Sequence, residues 1–146
     1  MSDHELRAFL DEQRVMVCAT MGPNGRPHLM PLWYVRDGTE LRGWTFAKSQ
    51  KARNLERDPR ATVQVETGVD YGELRGAMLE CDVEQERDPE RVASYGLELF
   101  ERYGGEMGSS NEVKEMVRKQ AAKRVGLRFK PTRIVTWDHR KLGGTY

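Results

Sequence analysis

Between Thr45 and Arg60, the stretch TFAKSQKARNLERDPR places Lys48, Lys51, Arg53, Arg57 and Arg60 among Thr45, Ser49 and Asn54. Cations, hydroxyls and an amide packed this densely are suited to holding an anion, because a phosphate accepts hydrogen bonds from all of them. A strand-like run ends at Phe46, Ser49 is placed to cap a helix, and Asp58-Pro59 stops that helix. The cluster therefore falls where a helix begins, at free backbone N–H groups and about half a positive charge. Lys48 and Lys51 stand one helical turn apart, and a phosphate fits such a terminus. The same spacing also suits a solvated helix face on which Ser49 is only a cap. Local chemistry leaves both readings open.

The bulk numbers make any basic function local. Lys plus Arg is 24 against 23 Asp plus Glu, a net charge of +1 over 146 residues. Proteins that bind nucleic acid or a membrane surface generally carry far more positive charge, so neither partner is expected. The length suits one domain, residues 1–146. Cys18 and Cys81 form no CxxC pair and read as small buried side chains in a reduced compartment. The start, MSDHELRAFL, is charged and lacks an apolar stretch, and no run approaches the roughly 20 apolar residues that span a bilayer. A cytoplasmic protein is expected. His4 and His139 have no companions at metal-ligand spacing, so no metal site is assigned. Neither a Ser-His-Asp arrangement nor a carboxylate pair is recognisable.

The elements that must position the cluster follow from periodicity. Ser2 and Glu5 form a capping box before Leu6, Phe9 and Leu10, giving a helix that ends near Gln13. Val15–Thr20 and Pro27–Val35 read as strands joined by the turn Gly22-Pro23-Asn24-Gly25, and Glu40–Phe46 follows the turn Asp37-Gly38. These three are expected to form a meander. After the Ser49–Arg57 helix, Ala61–Thr67 and Leu74–Glu84 alternate as strands. Asp88-Pro89 opens a helix carrying Val92, Leu99, Phe100 and Tyr103 on one face. Ser109 with Glu112 makes a second capping box. Val125–Phe129 and Ile134–Trp137 alternate again. Strands joined by hairpins, with helices inserted late, predict a mainly β protein: an antiparallel barrel of about six strands with peripheral helices.

Three segments, in this order, carry a resemblance: VCATMGPNGRPHLMPLWYV, DGTELRGWTFAKSQKARNLERDPRATV and ELRGAMLECDVE. Together they resemble the pyridoxamine-phosphate-oxidase-like split-barrel family that binds FMN, including its flavin/deazaflavin oxidoreductase branch. The resemblance implies a homodimer with a cofactor in each groove between subunits. By position, Thr45, Ser49 and Lys51 match residues that hold the cofactor's phosphate, with Lys48 and Asn54 close by. His28, Met30, Pro31, Leu32 and Trp33 would lie along the ring. Arg75, Gly76 and Met78 match the strand contributed by the partner, and Trp137 resembles a partner aromatic. Gln50 sits where pyridoxamine-phosphate oxidases proper carry an arginine, and their C-terminal arginine pattern is not recognisable here. The resemblance therefore does not extend to that oxidation.

What it implies instead is an oxidoreductase moving hydride between a small planar or conjugated substrate and either the deazaflavin coenzyme F420 or FMN. The deazaflavin is favoured because its long anionic tail would run past Lys48, Lys51, Arg53 and Arg57. The alternative is a non-catalytic flavin or deazaflavin carrier. Trp33 and Trp44 are candidates to stack on a ring or to serve as core, and Tyr71 either closes over a substrate or anchors its loop.

Overall fold

The computed structural model describes residues 1–105 and 110–143. Seven strands form one antiparallel sheet: β1 (Met16–Met21), β2 (Pro27–Leu32), β3 (Val35–Asp37), β4 (Glu40–Phe46), β5 (Arg60–Thr67), β6 (Arg75–Glu86) and β7 (Arg124–Asp138). Their order across the sheet is β2-β1-β5-β6-β7-β4-β3. β2 and β3 thus stand at opposite edges, although only Trp33 and Tyr34 separate them in the chain. The chain from Leu32 to Val35 reaches at most about 11 Å, whereas a flat sheet of this size would hold its edges roughly 28 Å apart. The sheet must curl until its edges meet. They meet without pairing, which leaves a split barrel with an open seam.

The seam is where the expected meander fails. Pro27–Val35 is not one strand: it breaks at Trp33-Tyr34, so β2 pairs with β1 while β4 pairs with β3 and β7. Tyr34 causes the break. It is fully buried, and its hydroxyl donates to Leu10 O at 2.7 Å and Gln13 O at 3.2 Å. A side chain anchored in this way redirects the chain from one edge of the sheet to the other. Pro27 and Pro31 are tolerated because β2 is an edge strand and needs only one ladder. The two runs around Pro131 merge into the single long β7, which accommodates the proline opposite Cys81 where the β6–β7 register shifts.

Among the described residues four α-helices accompany the sheet: α1 (Asp3–Glu12), α2 (Gln50–Arg57), α3 (Pro89–Tyr103) and α4 (Asn111–Ala121). The Ser2–Glu5 capping box starts α1 as expected, and Ser49 and Asp88 cap α2 and α3. Ser109 lies outside the described residues; the α4 cap is Ser110, whose hydroxyl accepts from Val113 N at 3.2 Å. The barrel core gathers Met16, Val63, Val65, Leu79, Leu127 and Phe129, and α1 adds Leu6, Phe9 and Leu10. Burying Phe9 or Leu10 contributes about 2 kcal/mol each. A second cluster holds α3 and α4 together through Val92, Val113 and Val117, with Trp44 of β4 packed against it. A Cβ at position 96 would meet the Trp44 ring at 2.4 Å, so α3 crosses this close to β4 because residue 96 is glycine.

Candidate functional site

A groove of about 400 Å³ opens at the seam. Pro31, Leu32 and Trp33 line it from β2 and the break that follows, and Trp44, Thr45 and Phe46 from the end of β4. Lys51 enters from the first turn of α2, Leu99 from α3 and Arg124 from the start of β7. Val15 completes the lining, and none of these residues is acidic.

The basic cluster divides into parts with separate roles. Lys48 is exposed, whereas Lys51 is only 5 % exposed. Among the described residues, no hydrogen bond or ion pair reaches the Lys51 ammonium. Burial pushes its pKa below the ordinary lysine value, against a weaker opposing effect of the Cys18 thiol. Removing an ammonium from water without a counter-charge costs several kcal/mol, and nothing among the described residues offsets that cost here. Beside it, the Ser49 hydroxyl accepts from Ala52 N at 3.1 Å and from the Thr45 hydroxyl at 3.3 Å. The cap thereby keeps one O–H of its own to donate.

Asn54 and Arg57 belong to the fold. Asn54 is fully buried; its amide donates to Thr20 Oγ1 at 3.0 Å and accepts from Gln50 at 2.7 Å and Arg57 at 3.1 Å. Arg57 also donates to Met21 O at 2.8 Å, which ties α2 to β1. Neither residue lines the groove.

Of the residues expected along a ring, Pro31, Leu32 and Trp33 converge on the groove while His28 and Met30 do not. His28 lies opposite Thr20 on the β1–β2 ladder, and its Nδ1 is buried with no partner among the described residues. Met30 is 45 % exposed. Trp33 is half exposed and stacks on Tyr103, with ring centroids 4.5 Å apart and planes 6° from parallel. Trp44 serves both purposes, lining the groove and packing on Gly96. Tyr71 lies beside His139, ring centroids 4.6 Å apart, in the loop before β6.

The four residues expected from a partner lie away from the groove. Successive strand residues face opposite sides, so Arg75 and Gly76 cannot serve the same surface. Arg75 pairs with Glu12 at 2.6 Å and lies 5.3 Å over the Phe9 ring, tied to α1. Gly76 is covered by Trp137, whose Cζ2 would sit 2.3 Å from an added Cβ. Met78 begins an outward row: it pairs with Val135 on one side and Gln64 on the other, then come Val17 and Pro31. That row runs across the outer sheet face to the lip of the groove, and Val17 and Val135 are 39 % and 37 % exposed.

Arg124 was not foreseen from sequence. Its guanidinium lies 4.7 Å over the Trp44 ring and 4.2 Å over Phe46, and it donates to Gln120 O at 3.3 Å and to the Gln120 side-chain oxygen. Burial lowers its pKa. Pairing of Arg124 with Phe46 brings it to the groove, and a contact of this sequence separation has no local signal. Cys18 and Cys81 are free and buried, and burial raises their thiols to about 11 and about 12. Neither is poised as a thiolate nucleophile. Among the described residues there is no His, Cys, Asp and Glu group able to hold a metal, and no helix long and apolar enough to cross a membrane.

The family model described as pyridoxamine 5′-phosphate oxidase matches residues 2–138. A conserved hypothetical protein from Mycobacterium tuberculosis shares 44 % identity with a TM-score of 0.91, over 100 % of this chain and 90 % of its own. An F420 reductase shares 26 % identity with a TM-score of 0.68, over 88 % and 94 %. The heme storage protein HutZ from Vibrio cholerae, 18 % identical with a TM-score of 0.70 over 92 % of each chain, shares the fold. No curated protein matches the chain.

Proposed function

The chain belongs to the pyridoxamine 5′-phosphate oxidase family of split barrels, and from that premise we propose that it is an oxidoreductase holding coenzyme F420, or alternatively FMN, in the seam groove. The observation that carries this reading is Lys51: a side chain only 5 % exposed, whose ammonium meets no carboxylate or hydrogen-bond acceptor among the described residues, beside a helix start and two hydroxyls. These groups fit a phosphate monoester, which supplies the missing charge and accepts from Ser49 and the ammonium. Pro31, Leu32, Trp33 and Phe46 offer apolar and aromatic surface for a planar ring. The bound coenzyme supplies the hydride chemistry, while the protein binds, orients and excludes water. The 26 % identity to an F420 reductase supports the deazaflavin over FMN.

The working form is a homodimer. The row Pro31, Val17, Gln64, Met78 and Val135, apolar except for Gln64, is continuous with the groove lip. A second copy covering it would bring Gly76, Met78 and Trp137 beside the neighbouring groove. Cofactor should then let the dimer persist to lower protein concentrations, because a ligand stabilises the state that binds it. Sedimentation at several concentrations reads this directly.

A carrier is the second reading, favoured by the lack of any His, Asp, Glu or Cys in the groove lining. Mass spectrometry of ligand released from purified protein, with titration of both coenzymes, tests the binding. A panel of planar conjugated acceptors separates the two functions: an enzyme reoxidises bound reduced F420 faster than the free coenzyme reacts, and a carrier does not. If neither coenzyme binds, the proposal fails.

A further inference from the structure

We propose that Arg124 is a specificity-determining residue of the groove, a second anion contact that selects a coenzyme with negative charge beyond one phosphate. The inference rests on the cofactor reading above but uses a different residue from a different element. Most guanidinium groups with a resolved partner in this protein meet a carboxylate, as Arg36, Arg42, Arg75 and Arg128 do with Asp11, Glu98, Glu12 and Glu40. Arg124 meets none among the described residues. It is held instead between Trp44 and Phe46 by cation–π contact, with a hydrogen bond to a neutral glutamine and a main-chain oxygen. This arrangement fixes the direction of the guanidinium without neutralising it. A guanidinium has five N–H donors, and Gln120 accounts for only part of them.

Its placement supplies the second half of the argument. Lys51 and Arg124 line the same groove with no acidic residue between them. Like charges gathered in a partly desolvated site repel each other, and a ligand with a single anionic group answers only one of them. The sequence points to Lys48, Lys51, Arg53 and Arg57 for the tail of F420. Arg57 is occupied with Met21 O and Asn54. Arg124 is the cation that shares the groove lining with Lys51, and its guanidinium lies over the Phe46 ring. The geometry therefore matches a ligand whose phosphate lies at Lys51 and whose further carboxylates extend toward Arg124.

The test compares Arg124→Met with Lys51→Met in the full-length protein, titrated with FMN and with coenzyme F420 by fluorescence. Arg124→Met keeps length and packing between the aromatics while removing the charge, and Arg124→Lys restores charge without the planar fork. Loss of a charge-assisted contact corresponds to roughly a ten- to hundredfold weakening. Arg124→Met should weaken F420 by that factor and leave FMN within about threefold, with partial recovery in Arg124→Lys, whereas Lys51→Met should weaken both. Equal losses for the two coenzymes in Arg124→Met, or no loss for either while Lys51→Met weakens both, overturns this inference and leaves the cofactor reading standing. Failure of the unmodified protein to bind either coenzyme overturns both. A single cooperative thermal transition in each variant, at a midpoint no lower than the parent's, confirms that affinity, rather than folding, is being read.

Discussion

Arg102 and Lys51 carry the same charge into the same barrel and meet opposite surroundings. Arg102 reaches from the end of α3 to the C-terminus of α1, which has no basic residue of its own in its last turn. There it donates to Leu10 O at 2.9 Å, Asp11 O at 3.1 Å and Gln13 O at 2.7 Å, and also to Tyr34 O, with its guanidinium 4.6 Å over the Tyr34 ring. These are the carbonyls that a helix end leaves unsatisfied, at the negative pole of its dipole. Lys51 has no such set of acceptors among the described residues. The difference separates a cation that completes the fold from one that these residues leave without a counter-charge. It also explains why residue type and charge alone could not distinguish them.

The largest effect is expected at the completed cation. Arg102→Met should lower stability by about 3 kcal/mol, since four carbonyls lose a charged donor together and Asp11 O is left without a side-chain donor. The drop would appear as a lower urea midpoint at unchanged slope. Coenzyme affinity of the folded fraction should not change. Lost affinity at full stability would erase the contrast between the two sites.

A smaller effect is expected at Gly76, on the outer face. An added Cβ would lie 2.3 Å from the Trp137 ring and 2.8 Å from Val65 O, so Gly76→Ala should cost about 1–3 kcal/mol through overpacking and shift the Trp137 fluorescence. If a second copy covers this face, dimer dissociation should also move to higher protein concentration. An unchanged emission spectrum would mean that Trp137 is not seated on residue 76.

The smallest effect is a pH slope. Burial lowers the Lys51 pKa below 10.5 in the folded protein, while the unfolded chain keeps the ordinary value. Between the two values the unfolded state binds more protons, so this group's contribution to stability rises with pH and levels off above about 10.5. Subtracting the Lys51→Met profile isolates it. A difference that falls over the same alkaline window would require an anionic partner for Lys51 in the unliganded protein.

Much of this architecture was legible in the chain. Ser2, Ser49 and Asp88 announce helix starts through chemistry confined to a few residues, and the Thr45–Lys51 spacing marked one end of the groove. The seam was not legible. Nothing near Trp33 shows that the Tyr34 hydroxyl is held by α1, and an apolar run interrupted only by Pro31 reads as one strand. The burial of Lys51 was equally hidden, because helical spacing places a lysine on a face without saying what covers it. Arg124 and Arg102 act across β4–β7 pairing and α3–α1 docking, contacts that no local pattern encodes. His28, with its unpartnered Nδ1, was singled out for its position in the chain, and the fold sets it beside Thr20 rather than in the groove.

The central claim is that Lys51 is held at a cost to the fold for the sake of an anionic coenzyme. Thermal unfolding of the parent and of Lys51→Met, each with and without saturating coenzyme F420 and then FMN, tests it most directly. Replacing a buried unpaired ammonium by an apolar chain of similar length should raise the midpoint without coenzyme. The order should reverse when coenzyme is added, because the parent binds it more tightly and gains more. A variant that melts below the parent without coenzyme, and that both coenzymes stabilise as much as the parent, would contradict the account.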